Sequence, residues 1–287
     1  MLSPDKVIVT CALTGAVTTK KQCPAIPYTP VEIAEEARRA HEAGAAVVHI
    51  HAREDSGQPT FRKEVFAAIK EETRKRSPVI LNFSTGAVGL PMAERVAHIV
   101  ESPPEIGALN SGSLTYAKYS KKRKAFVFDF VFQNPFSDIT YLLKRMNEAG
   151  VKPECEMFDV GHVQNLEPLF DLELLSGNAD VNLVMGVLGG MPATTKTLAF
   201  VVSELRPGTM WKTTPISEAT WPITGAALAM GGQIRVGLED NFYLPDGKMV
   251  GSNGDLVAHA VMMARAIGRQ PATVEEARAA LALPSPK

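Results

Sequence analysis

The chain has 287 residues, 45% hydrophobic and 21% charged, with a formal net charge of −1. This is ordinary globular composition, and the length suits one barrel domain of roughly 250 residues. The near-neutral balance, with no long run of one sign, argues against a nucleic-acid-binding surface, and no stretch approaches the ~20 apolar residues of a membrane helix.

In chain order, short β-like runs alternate with helix-like segments. Residues 6–12 are the first predicted strand, closed by the turn Thr14-Gly15. Thr29-Pro30-Val31-Glu32 opens a helix: Thr29 can cap, Pro30 suits the first turn, and Glu32 complements the helix dipole. That helix stops at Gly44. Residues 45–52 follow as a strand whose apolar part is continuous, the pattern of burial on both faces in a parallel sheet. The unit then repeats: helix 62–75 with strand 79–83, helix 92–100 with strand 106–109, helix 138–149 with strand 154–160. Residues 125–132, apolar and aromatic, read as an insertion strand outside the repeat. Helix 164–175 with strand 181–185, helix 194–204 with strand 209–216, and helix 222–230 with strand 234–238 continue the series. Helix 255–267 closes it, and a last helix, 273–281, begins with the capping pattern Thr273-x-x-Glu276. Eight βα units predict an α/β fold, a (β/α)8 TIM barrel filling 1–287 as a single domain with a C-terminal helical extension. An open doubly wound sheet is the alternative.

Cys11, Cys23 and Cys155 form no CxxC pair, and an odd number resists a full disulfide framework. Residues 1–6 show no signal-peptide pattern, so reduced thiols and a cytoplasmic location are expected. Lys121-Lys122-Arg123-Lys124 reads as a solvated loop or as a local site for a phosphorylated ligand.

The sharpest local feature is His49-Ile50-His51. Residues i and i+2 of a strand share a face, so both imidazoles project together near the strand's C-terminal end, where barrel active sites lie. Two neutral imidazoles supply half of a zinc site. Glu239, at the end of the eighth predicted strand, can reach across the mouth as a third ligand. Arg235, Gly237 and Glu239 share a face if that strand stays regular. A His2Glu set leaves positions open for substrate. A buried Arg235 needs a carboxylate partner, and Asp240 can be that partner and a general base. Asn82-Phe83-Ser84-Thr85-Gly86 and Asn110-Ser111-Gly112-Ser113 place hydroxyls and amides at two further strand ends, suited to a substrate carboxylate. Either stretch could equally be turn chemistry alone. The loop from Gly186 to Pro192 matches neither a dinucleotide fingerprint nor a P-loop, though it could still present N–H groups to a phosphate or thioester.

These stretches, in this order, resemble the β-keto acid cleavage enzymes, together with Ala12-Leu13-Thr14-Gly15-Ala16, Val48 to Arg53, and Arg235 to Asn241. The resemblance runs nearly end to end. It implies a TIM barrel, commonly homo-oligomeric with a tetramer favoured, and one Zn2+ (or another divalent metal) per chain on His49, His51 and Glu239. It implies condensation of a β-keto acid with acetyl-CoA as co-substrate, then retro-Claisen cleavage to acetoacetate and a new acyl-CoA. Asp240 would be the base, oriented by Arg235, with Ser84, Gly86 and Ser113 holding substrate and Thr85 beside them. No nucleic-acid or membrane partner is implied. Two positions depart from the pattern of the aminohexanoate-cleaving members. Ser113 stands in place of Thr, and Val17 in place of a Glu that meets the substrate's ammonium; Val17 therefore implies an apolar or neutral substrate side chain. The rival readings are a metal-dependent hydrolase of amidohydrolase type, for which His162 after the fifth strand would be a further ligand, and a non-catalytic metal- or acyl-CoA-binding barrel. His41, His98 and His259 fall in helical segments and read as surface or packing residues.

Overall fold

The computed structural model of the chain describes residues 2–177 and 179–284. The elements run β1 (Lys6–Val7), β2 (Val9–Ala12), α1 (Pro30–Glu42), β3 (Val47–Ile50), α2 (Lys63–Arg74), β4 (Ile80–Ser84), α3 (Met92–Glu101) and β5 (Ile106–Asn110). They continue with β6 (Leu114–Ser120), β7 (Ala125–Phe132), α4 (Phe136–Glu148), β8 (Lys152–Met157), α5 (Gly161–Gln164), α6 (Glu167–Asp171), β9 (Asp180–Met185) and α7 (Thr195–Glu204). The chain closes with β10 (Met210–Pro215), α8 (Thr220–Ala229), β11 (Gln233–Val236), α9 (Asn253–Ala266), β12 (Gln270–Pro271) and α10 (Val274–Ala280).

Eight parallel strands close into a barrel in the order β2-β3-β4-β5-β8-β9-β10-β11, so the expected TIM barrel is the fold and the open sheet is excluded. Local signals set several of its boundaries. Thr29 caps α1 in a full capping box with Glu32, and Pro30 occupies its first turn. Thr273 and Glu276 form the same box on α10. That helix packs under the N-terminal end of the barrel, where Val274, Ala277 and Leu281 cover Ile8, Val47, Ile80 and Ile106.

Three expectations need correction and one is extended. Residues 6–12 are not one strand: Lys6 and Val7 pair with β12 outside the barrel, and only Val9–Ala12 enters it. The segment expected as helix 164–175 holds only the short α6: α5 ends at Gln164, where Pro168 has no amide hydrogen to carry it on, and Glu173 takes a left-handed φ of 56° just past the end of α6. Residues 125–132 do form an insertion strand, but its antiparallel partner β6 carries no clean alternation and was not anticipated. The eighth barrel strand ends at Val236 rather than 238. Gly237 takes φ 151°, and a Cβ there would lie 2.1 Å from the Ala12 carbonyl oxygen. The chain then turns tightly, with the amides of Asp240 and Asn241 both donating to Gly237 O at 3.0 Å.

Candidate active site

The C-terminal mouth of the barrel is built on strand ends. His49 lies in β3 and His51 one residue beyond it. The turn after β11 delivers Glu239 from the other side of β2. His49 Nε2 and His51 Nε2 stand 3.7 and 3.5 Å from the two Glu239 carboxylate oxygens. Burial holds His49 down to about 3, so it is a neutral imidazole, the form that binds metal. Burial opposes ionisation of Glu239, but Arg235, with His51 and His49 behind it, holds its carboxyl well below the usual range.

A divalent cation fits these residues. His49 Nδ1 and Glu239 Oε2 are buried with no hydrogen-bond partner. Across the barrel interior two buried cations, Arg235 and Lys212, face five largely buried carboxyl groups, an imbalance a positive ion would offset. His49 with Glu154 and Glu156 forms a second set with ligand atoms in range. We favour His49, His51 and Glu239. Glu154 is already held by Lys212 at 2.7 Å and Asn82 at 2.9 Å, whereas His51 and Glu239 keep some exposure and so leave coordination positions open.

Arg235 is buried and grips Asp240 with two parallel bonds of 2.9 Å; it also reaches Glu239 at 2.7 Å and Glu156 at 3.5 Å. Burial raises Asp240, against the pull of Arg235, to about 6. An ionised carboxylate of moderate basicity therefore sits one residue from Glu239. The regular-strand expectation gave the right neighbours for the wrong reason: the tight turn at Gly237, not strand alternation, brings Glu239 and Asp240 back onto Arg235.

The expected substrate residues are placed unevenly. Ser84 is buried at the end of β4, its hydroxyl accepting from Gly86 N at 3.1 Å. Gly86 lies between Ser84, Asn110 and Phe132. The Thr85 hydroxyl donates to Ala108 O at 2.6 Å, so it joins β4 to β5. Ser113 is exposed, and its hydroxyl accepts from Asn134 N at 2.7 Å. Val17 is 58% exposed in the β2–α1 loop, two residues from Gly15, which abuts the stem of Glu239. His162 Nδ1 accepts from Phe158 N at 3.2 Å, and Nε2 faces Ser113 O at 3.4 Å. Both nitrogens thus hold loop backbone, which removes the further ligand of the hydrolase reading. His98 is buried and packs against Phe66, as expected of a packing residue.

Other contributors escaped the sequence reading. Glu154-x-Glu156, Asp180-x-Asn182 and Lys212-x-Thr214 alternate inward on β8, β9 and β10 and form a bonded polar layer beneath the mouth. Their period of two was the available signal. Burial, over the pull of Arg235, pushes Glu156 up to about 8. Arg53, also buried, donates to Gly15 O at 2.7 Å, Thr18 O at 2.8 Å and Gly57 O, pinning the loop that carries Val17. Tyr116 of the hairpin is raised to about 12 by burial and then by the charges of Glu239, Asp240 and Glu156, and its ring meets that of Phe158, just past the end of β8, at 6.3 Å between centroids.

A closed barrel with a His2Glu cluster, a buried Arg–Asp pair and an open mouth has the makings of a metal-assisted enzyme. The model of the family described as beta-keto acid cleavage enzyme matches residues 6–283, and the chain belongs to that family. It is 37% identical to the 3-keto-5-aminohexanoate cleavage enzyme of Fusobacterium nucleatum, across 97% of this chain and 98% of that protein. It is 32% identical to the 3,5-dioxohexanoate:acetyl-CoA acetone transferase of Paraburkholderia graminis, across 99% and 97%. Among solved structures, ObcA superposes with a TM-score of 0.78 at 22% identity, covering 91% of this chain and 66% of ObcA, a likeness of fold alone. Among the described residues, no helix is long and apolar enough to cross a membrane.

Proposed function

We propose that the chain transfers the acyl portion of a β-keto acid to CoA, using acetyl-CoA as co-substrate and releasing acetoacetate. Membership of the family and the acetyl-CoA-dependent activity for which the Paraburkholderia relative is named support the reaction class. The observation that carries the site assignment is the arrangement of His49, His51 and Glu239 beside the Arg235–Asp240 pair.

When bound, a divalent cation on His49, His51 and Glu239, zinc by the chemistry of the donor set, supplies Lewis-acid polarisation of a 1,3-dicarbonyl. Asp240 accepts the proton from the carbon between the two carbonyls, and the fixed fork of Arg235 holds its carboxylate ionised and aimed. The carbanion then attacks the thioester carbonyl of acetyl-CoA and the C–S bond breaks; the released CoA thiolate adds to the original keto carbonyl, the C–C bond beside it breaks to give the new acyl-CoA, and Asp240 returns its proton to the departing carbanion as acetoacetate forms. Ser84, Gly86 and the neighbouring Asn110 supply polar groups for the substrate carboxylate, and Ser113 lies further out along the rim. Thr85 serves by fixing the backbone of that corner. Neutral, partly screened Glu156 can donate a hydrogen bond into the same space.

Substrate choice rests on Val17. A valine offers a cation no counter-charge, so the substrate side chain is apolar or neutral, unlike the amine named for the Fusobacterium relative. A homo-oligomer, a tetramer by resemblance, and a cytoplasmic location complete the reading; sedimentation checks the first.

The test is zinc-loaded protein with acetyl-CoA and a panel of β-keto acids differing in side chain, with acetoacetate as the readout. Acetoacetate that requires acetyl-CoA and disappears in Asp240→Asn is expected. Metal-loaded protein that releases none from any panel member, or releases it without acetyl-CoA, overturns the reading.

A further inference from the structure

The hairpin of β6 and β7 concentrates positive charge at its tip. Lys118, Lys121, Lys122, Arg123 and Lys124 are all exposed, and the single acid between Leu114 and Asn134 is Asp129. None of the five cations forms an ion pair among the described residues. On a chain of net charge −1 this is a local excess, where an ordinary surface intersperses both signs. Beside the turn, Tyr119 and Phe126 stand exposed with ring centroids 5.3 Å apart.

The other end of the hairpin is fixed over the barrel mouth. Leu114 and Phe132 pack with Phe158 and Val184. Ala117 N donates to Leu188 O at 3.2 Å, so the loop after β9 grips β6. Arg95 of α3 donates to the Asn134 side-chain oxygen, and the backbone N–H of Asn134 donates to the Ser113 hydroxyl, which ties down the base. Tyr116, stacked on Phe128 and Phe130, also meets Phe158 edge-on at 6.3 Å, just past the C-terminal end of β8 at the barrel mouth. One strand therefore runs from the site at Tyr116 to the basic turn at Lys121. Five residues at ~3.4 Å each make that span about 17 Å, the scale of the pantetheine arm that separates a CoA thioester from its diphosphate.

We propose that the basic turn of the hairpin binds the phosphates of acetyl-CoA, with the pantetheine arm lying along β6 toward Tyr116. The inference rests on the acetyl-CoA reading above. Arg123 offers a planar fork to a phosphate, and the lysines act as point charges around it. The exposed Tyr119–Phe126 pair offers a stacking face for the adenine ring. Because the turn is open to solvent, the attraction is screened and salt-dependent.

The experiment titrates CoA into wild-type protein and the triple variant Lys121→Ala, Lys122→Ala, Arg123→Ala at low and high salt. In parallel, KM is measured for acetyl-CoA and for acetyl-pantetheine, which lacks the phosphates. The variant is expected to bind CoA roughly tenfold more weakly at low salt, as three screened contacts would give, and to lose most of the salt dependence. Its KM should rise for acetyl-CoA and shift less than twofold for acetyl-pantetheine. Equal CoA affinity in both proteins, while the wild type turns over keto acid, overturns the subsite and leaves the activity standing. An equal rise for both thioesters also overturns it. A wild-type protein that neither binds CoA nor forms acetoacetate overturns the acetyl-CoA reading and the subsite together.

Discussion

Replacing Gly15 with alanine tests whether Glu239 holds a metal. Gly15 has φ 59°, and a Cβ there would lie 2.6 Å from Glu239 Cγ and 3.2 Å from Glu239 Cβ and Cδ. Carbon pairs rest at about 3.5–4.0 Å, so the Glu239 side chain must retreat by about 1 Å. Metal–ligand distances tolerate only about 0.2 Å. The left-handed backbone adds a cost of roughly 1–2 kcal/mol. Gly150 supplies the control: its φ is 68° and a Cβ there meets nothing within 4 Å, so Gly150→Ala carries the backbone cost alone. Both variants should lose a few degrees in Tm, at about 2–4 °C per kcal/mol for a large domain. Only Gly15→Ala should lose zinc, its dissociation constant in a chelator competition rising at least ~10-fold and kcat/KM falling about 100-fold. Unchanged zinc affinity in folded Gly15→Ala would refute Glu239 as a ligand.

Three further outcomes are expected. His98 is buried, donates from Nε2 to Ser84 O at 2.9 Å, leaves Nδ1 without a partner, and is held by burial down to about 4. The unfolded chain, with an ordinary histidine near 6.5, takes up the proton first. Stability from this group is therefore full above about pH 6.5 and falls, by ~3 kcal/mol in all, as pH drops toward 4. Urea midpoints across that window should fall in the wild type, and His98→Gln should remove that part of the slope; identical slopes would sink the argument. Val17→Glu should raise kcat/KM for an amine-bearing β-keto acid relative to its apolar counterpart by about fivefold, the worth of one partly exposed ion pair; an unchanged ratio means residue 17 does not face the side chain. Lys212→Met strips the partner from Glu154 at 2.7 Å and Asp180 at 2.9 Å in the barrel interior. It should cost roughly 3–5 kcal/mol in denaturant unfolding, and a loss below about 1 kcal/mol would show that the carboxyls take up protons freely.

Local chemistry made much of this protein readable from its residues. Thr29, Pro30 and Glu32 specify a helix start because cap, ring and carboxylate each satisfy groups within one turn. The continuous apolar part of 45–52 specifies a strand buried on both faces, and eight alternating βα units allow few architectures. His49-Ile50-His51 fixes two side chains on one face through strand alternation alone. The family resemblance, carried by the same stretches, supplied the partners of that pair.

Tertiary structure decided what lies between elements distant in sequence. Alternation along an unbroken strand does not bring Asp240 onto Arg235. That pairing needs the left-handed turn at Gly237, packed against Ala12 of a strand more than two hundred residues earlier. The hairpin partner β6 has a burial pattern set by what β7, Phe158 and Leu188 happen to cover, so its own sequence shows no clean period. The inward polar positions of β8, β9 and β10 show their spacing in sequence, but not that Lys212 sits between Glu154 and Asp180. Propensity, capping and periodicity act over a few residues and are written in the chain. The ion pairs, the pinned Val17 loop and the displaced acidities depend on which strands closure of the barrel sets side by side.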